Sequence, residues 1–402
     1  MIKKITDEIK LKAAVTAAAL SLCALHFSPA LSSVSLLIFF AGLLALSEKV
    51  GFSTHKQLIY FSVLWCLSQL LIQFSFGFDA ESSRKLLLRL PLFLLPLLWC
   101  FNPRVSRNFL FTLILLAGLI HTWIGGASVL NYLVHYRFLN QMVLESKPLP
   151  LFSSVYHIEF SLIMAIVSLL QLSFLRFSEL IWQRRLMTVS LLVNLVSLHI
   201  LSARTGILAF WLGAPFLVGV IHLPDWFKGP RKWMLLIIPL LLVFAIPSLR
   251  NRIINTIDDI TAIKQDSNLS DKSFGRRWEA WKVASDVILQ KPLIGSGFSG
   301  VESAMQLGFE KKQSYLPVTD RIQPHNQFLE LALQTGIITT LLFVILLIFM
   351  FIHFRRTANY TGLAVLTALA ASMFFESYLE RQSGVAVFVV SVFFVLFAEK
   401  KE

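Results

Sequence analysis

The sequence predicts an all-α, polytopic membrane protein. Of its 402 residues, 56% are hydrophobic and only 15% are charged, and the mean hydropathy is +0.71. A soluble protein of this length would carry roughly 25% charged residues. The apolar residues also occur in runs of about 17 to 25, which is the length of a helix that crosses a bilayer. The composition therefore excludes a single large soluble domain.

Twelve apolar runs are candidate membrane spans. We divide the run that contains "LSARTG" into two, because about 35 continuous residues are too many for one crossing and Arg204 lies at the junction. The candidate spans are residues 11–28, 33–47, 57–76, 86–101, 108–125, 156–175, 186–201, 204–222, 233–248, 326–353, 360–376 and 383–398.

Lysine and arginine in the short connections orient these spans. Eighteen of them fall on the side of the N-terminus and seven on the other side. Because positive charge is retained in the cytoplasm, we expect both termini there. This topology predicts three parts: residues 1–248 with nine helices, an outward loop domain over 249–324, and residues 325–402 with three helices.

The long outward loop contains one clear helical signal. Ser273 is a candidate N-cap, and helical periodicity continues to about Gln290. Pro292, Gly295 and Gly297 then end the helix. A single large loop late in the chain also argues against the two matched halves that are common in transporters.

Arg204 in "SARTGIL" lies at the predicted outer membrane interface. A charge near a membrane is costly, so a retained one indicates a function. One interpretation is an arginine in a turn that reaches out to water. The other is an anion clamp, because a guanidinium offers a planar pair of donors to phosphate oxygens.

The loop sequence "SFGRRWEAW" contains two adjacent arginines, Arg276 and Arg277. On a helix they point about 100° apart, so only one of them can face inward. Arg277 and Trp281 are spaced i, i+4 and share a face. Either this helix lies on the lipid with tryptophan at the interface, or one arginine is a second phosphate ligand.

The stretch "PHNQFLELALQTGIIT" carries His325 at its start. His325 and Gly336 are 11 residues apart, which on a regular helix separates them by about 20° in azimuth. Small residues on that face allow a neighbouring helix to approach, so we expect His325 to face the bundle. It is either a structural histidine or a general base, since histidine exchanges protons near neutral pH.

Two further polar stretches fall at the same predicted depth, "FFESYLERQSG" and "VYHIEFS". Their polar residues are Glu376, Glu380, Arg381, Tyr156, His157 and Glu159. The first stretch is either a solvated turn with an internal ion pair or part of the wall of the same cavity. The second stretch carries the same ambiguity.

Several kinds of chemistry have no pattern in this sequence. Cys23, Cys66 and Cys100 all lie in apolar runs and suggest neither a disulfide framework nor a metal site. HExxH and DxD are absent, as is the P-loop pattern of nucleotide-binding proteins. We therefore expect no metal, no cofactor, no nucleotide and no nucleic acid.

Three motifs resemble those of the O-antigen ligase family, within the O-antigen ligase/polymerase superfamily of bacterial membrane glycosyltransferases. "RTGIL" matches an arginine followed by leucine four residues later, at Arg204 and Leu208. The second motif is His-Asn, nine residues, Gly, two residues and Thr, at His325, Asn326, Gly336 and Thr339. The third is the arginine–tryptophan helix followed by "PLIGSG", although the arginine is doubled here. The resemblance covers residues 199–340 and is weak over 1–150.

The resemblance implies a GT-C-like glycosyltransferase of lipopolysaccharide biosynthesis. It would lie in the inner membrane of a Gram-negative bacterium, with its active site and the loop 249–324 facing the periplasm. The donor would be a glycan on undecaprenyl pyrophosphate, and the acceptor would be a sugar hydroxyl of lipid A–core. The transfer would be metal-independent and inverting. The alternatives are an O-antigen polymerase, with a lipid-linked glycan as acceptor, a protein O-oligosaccharyltransferase of the same superfamily, or a lipid-linked oligosaccharide transporter.

The resemblance also implies roles for named residues. Arg204 and Arg277 would stabilise the departing pyrophosphate, and His325 would be the general base or would orient the acceptor hydroxyl. The residues expected to bind pyrophosphate or glycan are Arg204, Arg276, Arg277, Asn326, Trp281, Tyr156, His157, Glu380 and Arg381.

Overall fold

In the computed structural model, all regular secondary structure of the described residues is helical. These are residues 2–45, 55–100, 105–145, 147–177, 180–201, 203–218, 237–265, 272–314 and 316–397. They contain eighteen α-helices and no β-strand. The all-α fold class is therefore confirmed.

The helices are numbered along the chain. They are α1 (Ile2–Ala24), α2 (Pro29–Leu44), α3 (Lys56–Phe76), α4 (Ala80–Phe93), α5 (Leu95–Cys100), α6 (Arg107–Val134), α7 (Tyr136–Leu144), α8 (His157–Phe174), α9 (Ile181–Ile200), α10 (Arg204–Gly213), α11 (Pro215–Val218), α12 (Ile238–Ala245), α13 (Pro247–Lys264), α14 (Ser273–Gln290), α15 (Val301–Lys311), α16 (Gln327–Arg356), α17 (Tyr360–Met373) and α18 (Gln382–Phe397).

Several of these helices are apolar enough to lie in a membrane. In the described part of the chain, α3, α6, α8 and α16 each have the length and hydropathy of a membrane span. Shorter apolar helices are α2, the α10–α11 pair, α17 and α18. They coincide with eight predicted spans, so the chain is a membrane protein. The count of twelve stays a prediction. The short helix α12 matches part of the predicted span 233–248, and the first residues of that span lie outside the described ranges.

The centre of the bundle is α8, most of which is buried. Helix α10 packs closely on it, because a Cβ on Gly206 would lie only 2.5 Å from the backbone oxygen of Ser161. This close approach needs glycine and resembles the small-residue packing of membrane helices. It brings Arg204, the first residue of α10, to the end of α8 that begins at His157.

Helix α16 is broken in its third turn, at Gly336, whose φ of 80° and ψ of 173° are not helical. The "PLIGSG" loop fills the break with three backbone hydrogen bonds. They join Ile337 N to Pro292 O at 2.7 Å, Ser296 N to Leu333 O at 2.7 Å and Gly297 N to Gln334 O at 3.0 Å. A Cβ on Gly336 would lie 2.1 Å from Leu293 O, so only glycine fits there. The break thus attaches the outer loop to the membrane helices.

The expectation that His325 and Gly336 share one face of a regular helix is wrong. Helix α16 begins at Gln327, and His325 lies before it with a left-handed φ of 46°. Gly336 interrupts the same helix, so an azimuth counted at 100° per residue has no meaning between them. The inward position of His325 has a different cause, its contact with Glu376.

The predicted outer loop is largely helical and includes α13, α14 and α15. The predicted helix from Ser273 to Gln290 is confirmed as α14. Its N-cap is Lys272, however, and not Ser273, which is already the first helical residue. The connection between the predicted spans 108–125 and 156–175 is also partly helical, because α6 continues to Val134 and α7 follows it.

Candidate active site

The two adjacent arginines of α14 point to different partners. Arg277 donates from Nη2 to Glu376 Oε2 at 3.1 Å and from Nη1 to the backbone oxygen of Phe375. Arg276 instead reaches Asp320 Oδ1 at 3.4 Å. Only Arg277 therefore faces the polar groups that lie between α17 and α18, as the helical spacing predicts for one of the pair.

Glu376 is the centre of this polar cluster, and its side chain is only 1% exposed. Besides Arg277, it contacts His325 Nδ1 at 2.9 Å and Arg381 Nη2 at 3.5 Å. Burial acts to raise the pKa of Glu376, but the hydrogen bond from His325 and the charges of Arg277 and Arg381 outweigh it. The pKa therefore lies below its ordinary value of 4.5, and the group is a carboxylate at neutral pH.

This carboxylate determines which nitrogen of His325 is free. Because a carboxylate only accepts hydrogen bonds, His325 Nδ1 must be the donor in the 2.9 Å contact. In the neutral imidazole the lone pair is then on Nε2, which is the atom that could take a proton. The side chain is 27% exposed, so a substrate hydroxyl can reach it.

The backbone on both sides of His325 is fixed by side chains. Trp281 Nε1 donates to Pro324 O at 2.6 Å, and Asn326 Nδ2 donates to Phe374 O at 3.1 Å. Asn326 Oδ1 also caps α16 by accepting from the amides of Phe328 and Leu329. These bonds hold His325 in its left-handed conformation, which costs about 1–3 kcal/mol for a residue other than glycine. Trp281 and Asn326 thus position the histidine.

The stretch "VYHIEFS", at the start of α8, lies beside the same cluster. Arg381 Nη1 donates to Glu159 Oε1 at 2.8 Å, and its guanidinium lies 5.4 Å from the centre of the Tyr156 ring. His157 lies within electrostatic range of Glu376, Arg277 and Arg381. Tyr156, His157 and Arg381 therefore border the cluster. The interpretation of "FFESYLERQSG" as a self-contained turn is incomplete, since its charged groups pair with distant residues.

Arg204 approaches the cluster from α10. Its Nη1 donates to Thr256 Oγ1 on α13 at 2.7 Å, and its charge interacts with those of Asp259 and Arg277. Among the described residues no carboxylate lies within ion-pair distance of Arg204, so the nearest recorded partner of this cation is a neutral hydroxyl.

Glu380 faces a different set of partners. Its carboxylate accepts from Arg89, from Gln334 Nε2 at 2.8 Å and from Gln327 Nε2 at 3.4 Å. Arg89 also donates to Gln69 Oε1 at 3.0 Å, and its side chain is only 1% exposed. The structure therefore places Glu380 in a buried network with Arg89 and does not join it to the bonds around Glu376.

Two arginines of the site region were missed by the sequence reasoning, Arg89 and Arg252. Arg89 stands in "LLLRLPLF", inside a predicted span, and a charge at that depth is costly enough to have been a signal. Arg252 lies in α13, where the sequence offers no comparable signal, since the loop contains many basic residues.

Replacing Arg89 by leucine should destabilise the protein. The substitution leaves the Glu380 carboxylate in a largely buried site without its cation, at a cost of about 3–5 kcal/mol. We expect a lower unfolding temperature in detergent and recovery of most of the loss in Arg89→Leu/Glu380→Gln, which removes both charges. An unchanged unfolding temperature in the single variant would show that the pair contributes no net stability.

An apolar groove of about 920 Å³ begins beside the cluster. Trp281 and Asn326 line one end, and the groove continues between α16 and α17 past Leu347 and Phe351. Lys282 stands on its wall, close in sequence to Arg277. The groove could hold a long hydrocarbon chain whose polar end reaches the cluster.

A metal ion has no evident seat in the described ranges, where His, Cys, Asp and Glu do not form a group of three able to bind one. The expectation of metal independence stays a prediction.

The fold and the site together define a class of protein: a helical membrane protein with a buried cationic and carboxylate cluster beside an apolar groove. Residues 187–344 are similar to the family model described as O-Antigen ligase. The matched segment contains Arg204, Arg277 and His325 and ends before Glu376 and Arg381. No curated protein matches the chain. The match supports a glycosyltransferase-like activity of the O-antigen ligase or polymerase type.

Proposed function

We propose that the protein is an O-antigen ligase, which transfers a glycan from undecaprenyl pyrophosphate to a sugar hydroxyl of lipid A–core. The observation that carries this proposal is the contact of Glu376 with both Arg277 and His325, next to the apolar groove. This contact places a cation that can bind a phosphate, Arg277, beside a group that can accept a proton from a hydroxyl, His325. The family match over residues 187–344 supports the same chemistry.

In the proposed reaction the acceptor hydroxyl oxygen attacks the anomeric carbon of the donor glycan. The bond from that carbon to the pyrophosphate oxygen breaks, and its electron pair leaves with the lipid pyrophosphate. His325 Nε2 takes the hydroxyl proton. Negative charge grows on the pyrophosphate as the bond breaks, so prepositioned Arg204 and Arg277 stabilise the transition state more than the bound substrate. Direct displacement inverts the anomeric configuration.

The groove gives the donor lipid a place to lie. Its wall is almost entirely apolar along α16 and α17, and its polar end is at Asn326 and Trp281, the residues that position His325. A polyprenyl chain in the groove would bring its pyrophosphate to Arg277. Burying such a chain would contribute about 25 cal/mol per Å² of apolar surface.

The proposed setting follows from the charge bias of the short connections. The site would face the periplasm from the inner membrane of a Gram-negative bacterium, with both termini in the cytoplasm. Residues 1–248 and 325–402 would form the membrane part, and residues 249–324 would form the periplasmic loop domain that covers the cluster and limits hydrolysis.

Purified protein in detergent, with undecaprenyl-pyrophosphate glycan and core-only lipopolysaccharide, tests the proposal. A ligase forms core-linked glycan without added nucleotide or metal. Longer glycans on the polyprenyl carrier would favour the polymerase. A transporter has no activity without a sealed membrane, so the absence of both products with a competent donor would contradict the enzyme.

Replacing Glu376 by glutamine should lower stability in a pH-dependent way. Arg277 and Arg381 lose their counter-charge, and hydrogen bonds to charged groups contribute about 1.5–3 kcal/mol. Because the folded pKa of Glu376 lies below 4.5, its stabilisation is complete above that pH and is lost as the pH falls through the folded pKa. Thermal unfolding in detergent should show a gap between wild type and Glu376→Gln at pH 7 that shrinks below pH 4.5. A gap that does not change with pH would contradict this role.

A further inference from the structure

Arg252 is a buried cation to which the proposed mechanism assigns no role. It lies on α13, and the residue is only 7% exposed. Its Nη2 donates to the backbone oxygen of Lys147. Among the described residues, no carboxylate lies within ion-pair distance of the Arg252 guanidinium. A cation buried in this way is costly unless an anion joins it.

Arg252 and Arg204 are linked through one threonine. Arg204 Nη1 donates to Thr256 Oγ1 at 2.7 Å, and the same hydroxyl donates to the backbone oxygen of Arg252 at 2.7 Å. Arg252 and Thr256 are spaced i, i+4 and share a face of α13. Arg252 and the Thr256 hydroxyl that binds Arg204 therefore lie on the same face of α13.

The electrostatics agree with this geometry. Burial and the charge of Arg204 lower the pKa of Arg252 to about 10, and Tyr156 acts in the opposite direction. His157, whose ring borders the cluster, also lies within range of the Arg252 charge. An anion between Arg204 and Arg252 would remove their mutual repulsion.

We propose that Arg252 is a third phosphate-binding arginine, which together with Arg204 holds one phosphoryl group of the lipid-linked pyrophosphate. Arg277 holds the other phosphoryl group. A pyrophosphate ester carries at least two negative charges. It suits a site in which Arg204 and Arg252 donate hydrogen bonds to neutral oxygens, of Thr256 and Lys147. This inference rests on the proposed function, because it deepens the donor site named there.

A purely structural role for Arg252 would be to hold α13 against the α7 region. Two other side chains already do so: Asn251 Nδ2 donates to Asn140 Oδ1 at 3.1 Å, and Asn255 Nδ2 donates to Val143 O at 3.0 Å. Arg252→Gln keeps a side-chain N–H donor and removes the positive charge and the guanidinium. It therefore separates anion binding from anchoring.

The test measures binding of inorganic pyrophosphate to the purified full chain in detergent, by its effect on the unfolding temperature. We expect Arg252→Gln to weaken binding at least tenfold, which corresponds to about 1.4 kcal/mol. Arg252→Lys should lie between this variant and wild type. Arg250→Gln is the matched control, because Arg250 is exposed on the same helix, and it should bind as wild type does.

Equal binding by Arg252→Gln and wild type would overturn the inference and leave the ligase proposal standing. Absence of binding to the wild-type protein would count against the donor site as a whole and thus against the proposed function. A structure of the wild-type protein with pyrophosphate needs no variant. A phosphate oxygen within hydrogen-bond distance of Arg252 supports the proposal, and a phosphate bound away from it refutes the proposal even if Arg252→Gln fails to fold.

Discussion

Arg277→Ala should lower the rate of glycan transfer by about 10²- to 10³-fold, which is the usual cost of removing one donor that stabilises transition-state charge. Arg277 lies on α14, and its guanidinium contacts Glu376 and the Phe375 backbone oxygen in the cluster. Its loss removes a phosphate ligand and also a counter-ion of a buried carboxylate. The measurement is the initial rate of core-linked glycan formation by purified protein.

The adjacent arginine provides the control for this prediction. Arg276 stands on the same helix but pairs with Asp320, so Arg276→Ala should keep transfer within about threefold of wild type. Arg277→Lys keeps the charge and loses the planar pair of donors, and we expect an intermediate rate. An equal loss of transfer rate in Arg276→Ala and Arg277→Ala would contradict the assignment of Arg277, and not Arg276, as the phosphate ligand.

His325→Ala should reduce turnover by about 10²- to 10⁴-fold, the range that general acid–base catalysis contributes. The arginines that are proposed to bind pyrophosphate remain, so donor affinity should change little. The measurements are turnover at saturating donor and the binding of undecaprenyl-pyrophosphate glycan in the absence of acceptor.

His135 is a suitable control for this substitution, since it is exposed at the junction of α6 and α7 and its ring nitrogen hydrogen-bonds to Asn131 on α6. His135→Ala should behave as wild type. The unfolding temperature of His325→Ala must also be recorded, because the substitution removes a partner of Glu376. Normal turnover in a folded His325→Ala protein would remove the histidine from the mechanism and leave only a role in holding the acceptor.

Much of the fold could be predicted, because burial in lipid imposes a simple pattern. A membrane helix needs a long apolar run, and such runs correspond closely to α3, α8 and α16. Helical spacing also predicts that Arg276 and Arg277 diverge, and the structure shows that divergence. These inferences use only neighbours along the chain, whose geometry is fixed within a helix.

The pairs that build the site are the part that could not be predicted. Glu376 meets Arg277 and His325 from far along the chain, and Arg89 meets Glu380 from farther still. Tertiary packing alone determines such contacts. The break at Gly336 illustrates the same limit, since a glycine in a helical pattern does not by itself reveal that a distant loop fills the gap.

The ligase proposal requires that the glycan is transferred to lipid A–core when the lipid pyrophosphate is released. The most direct measurement quantifies both products in one reaction in detergent, with EDTA present and no nucleotide. A ligase forms one core-linked glycan for each undecaprenyl pyrophosphate released, and we expect both products to be lost in Arg277→Ala and retained in Arg276→Ala. Release of undecaprenyl pyrophosphate without core-linked glycan, or with longer glycans on the carrier, would contradict the ligase proposal.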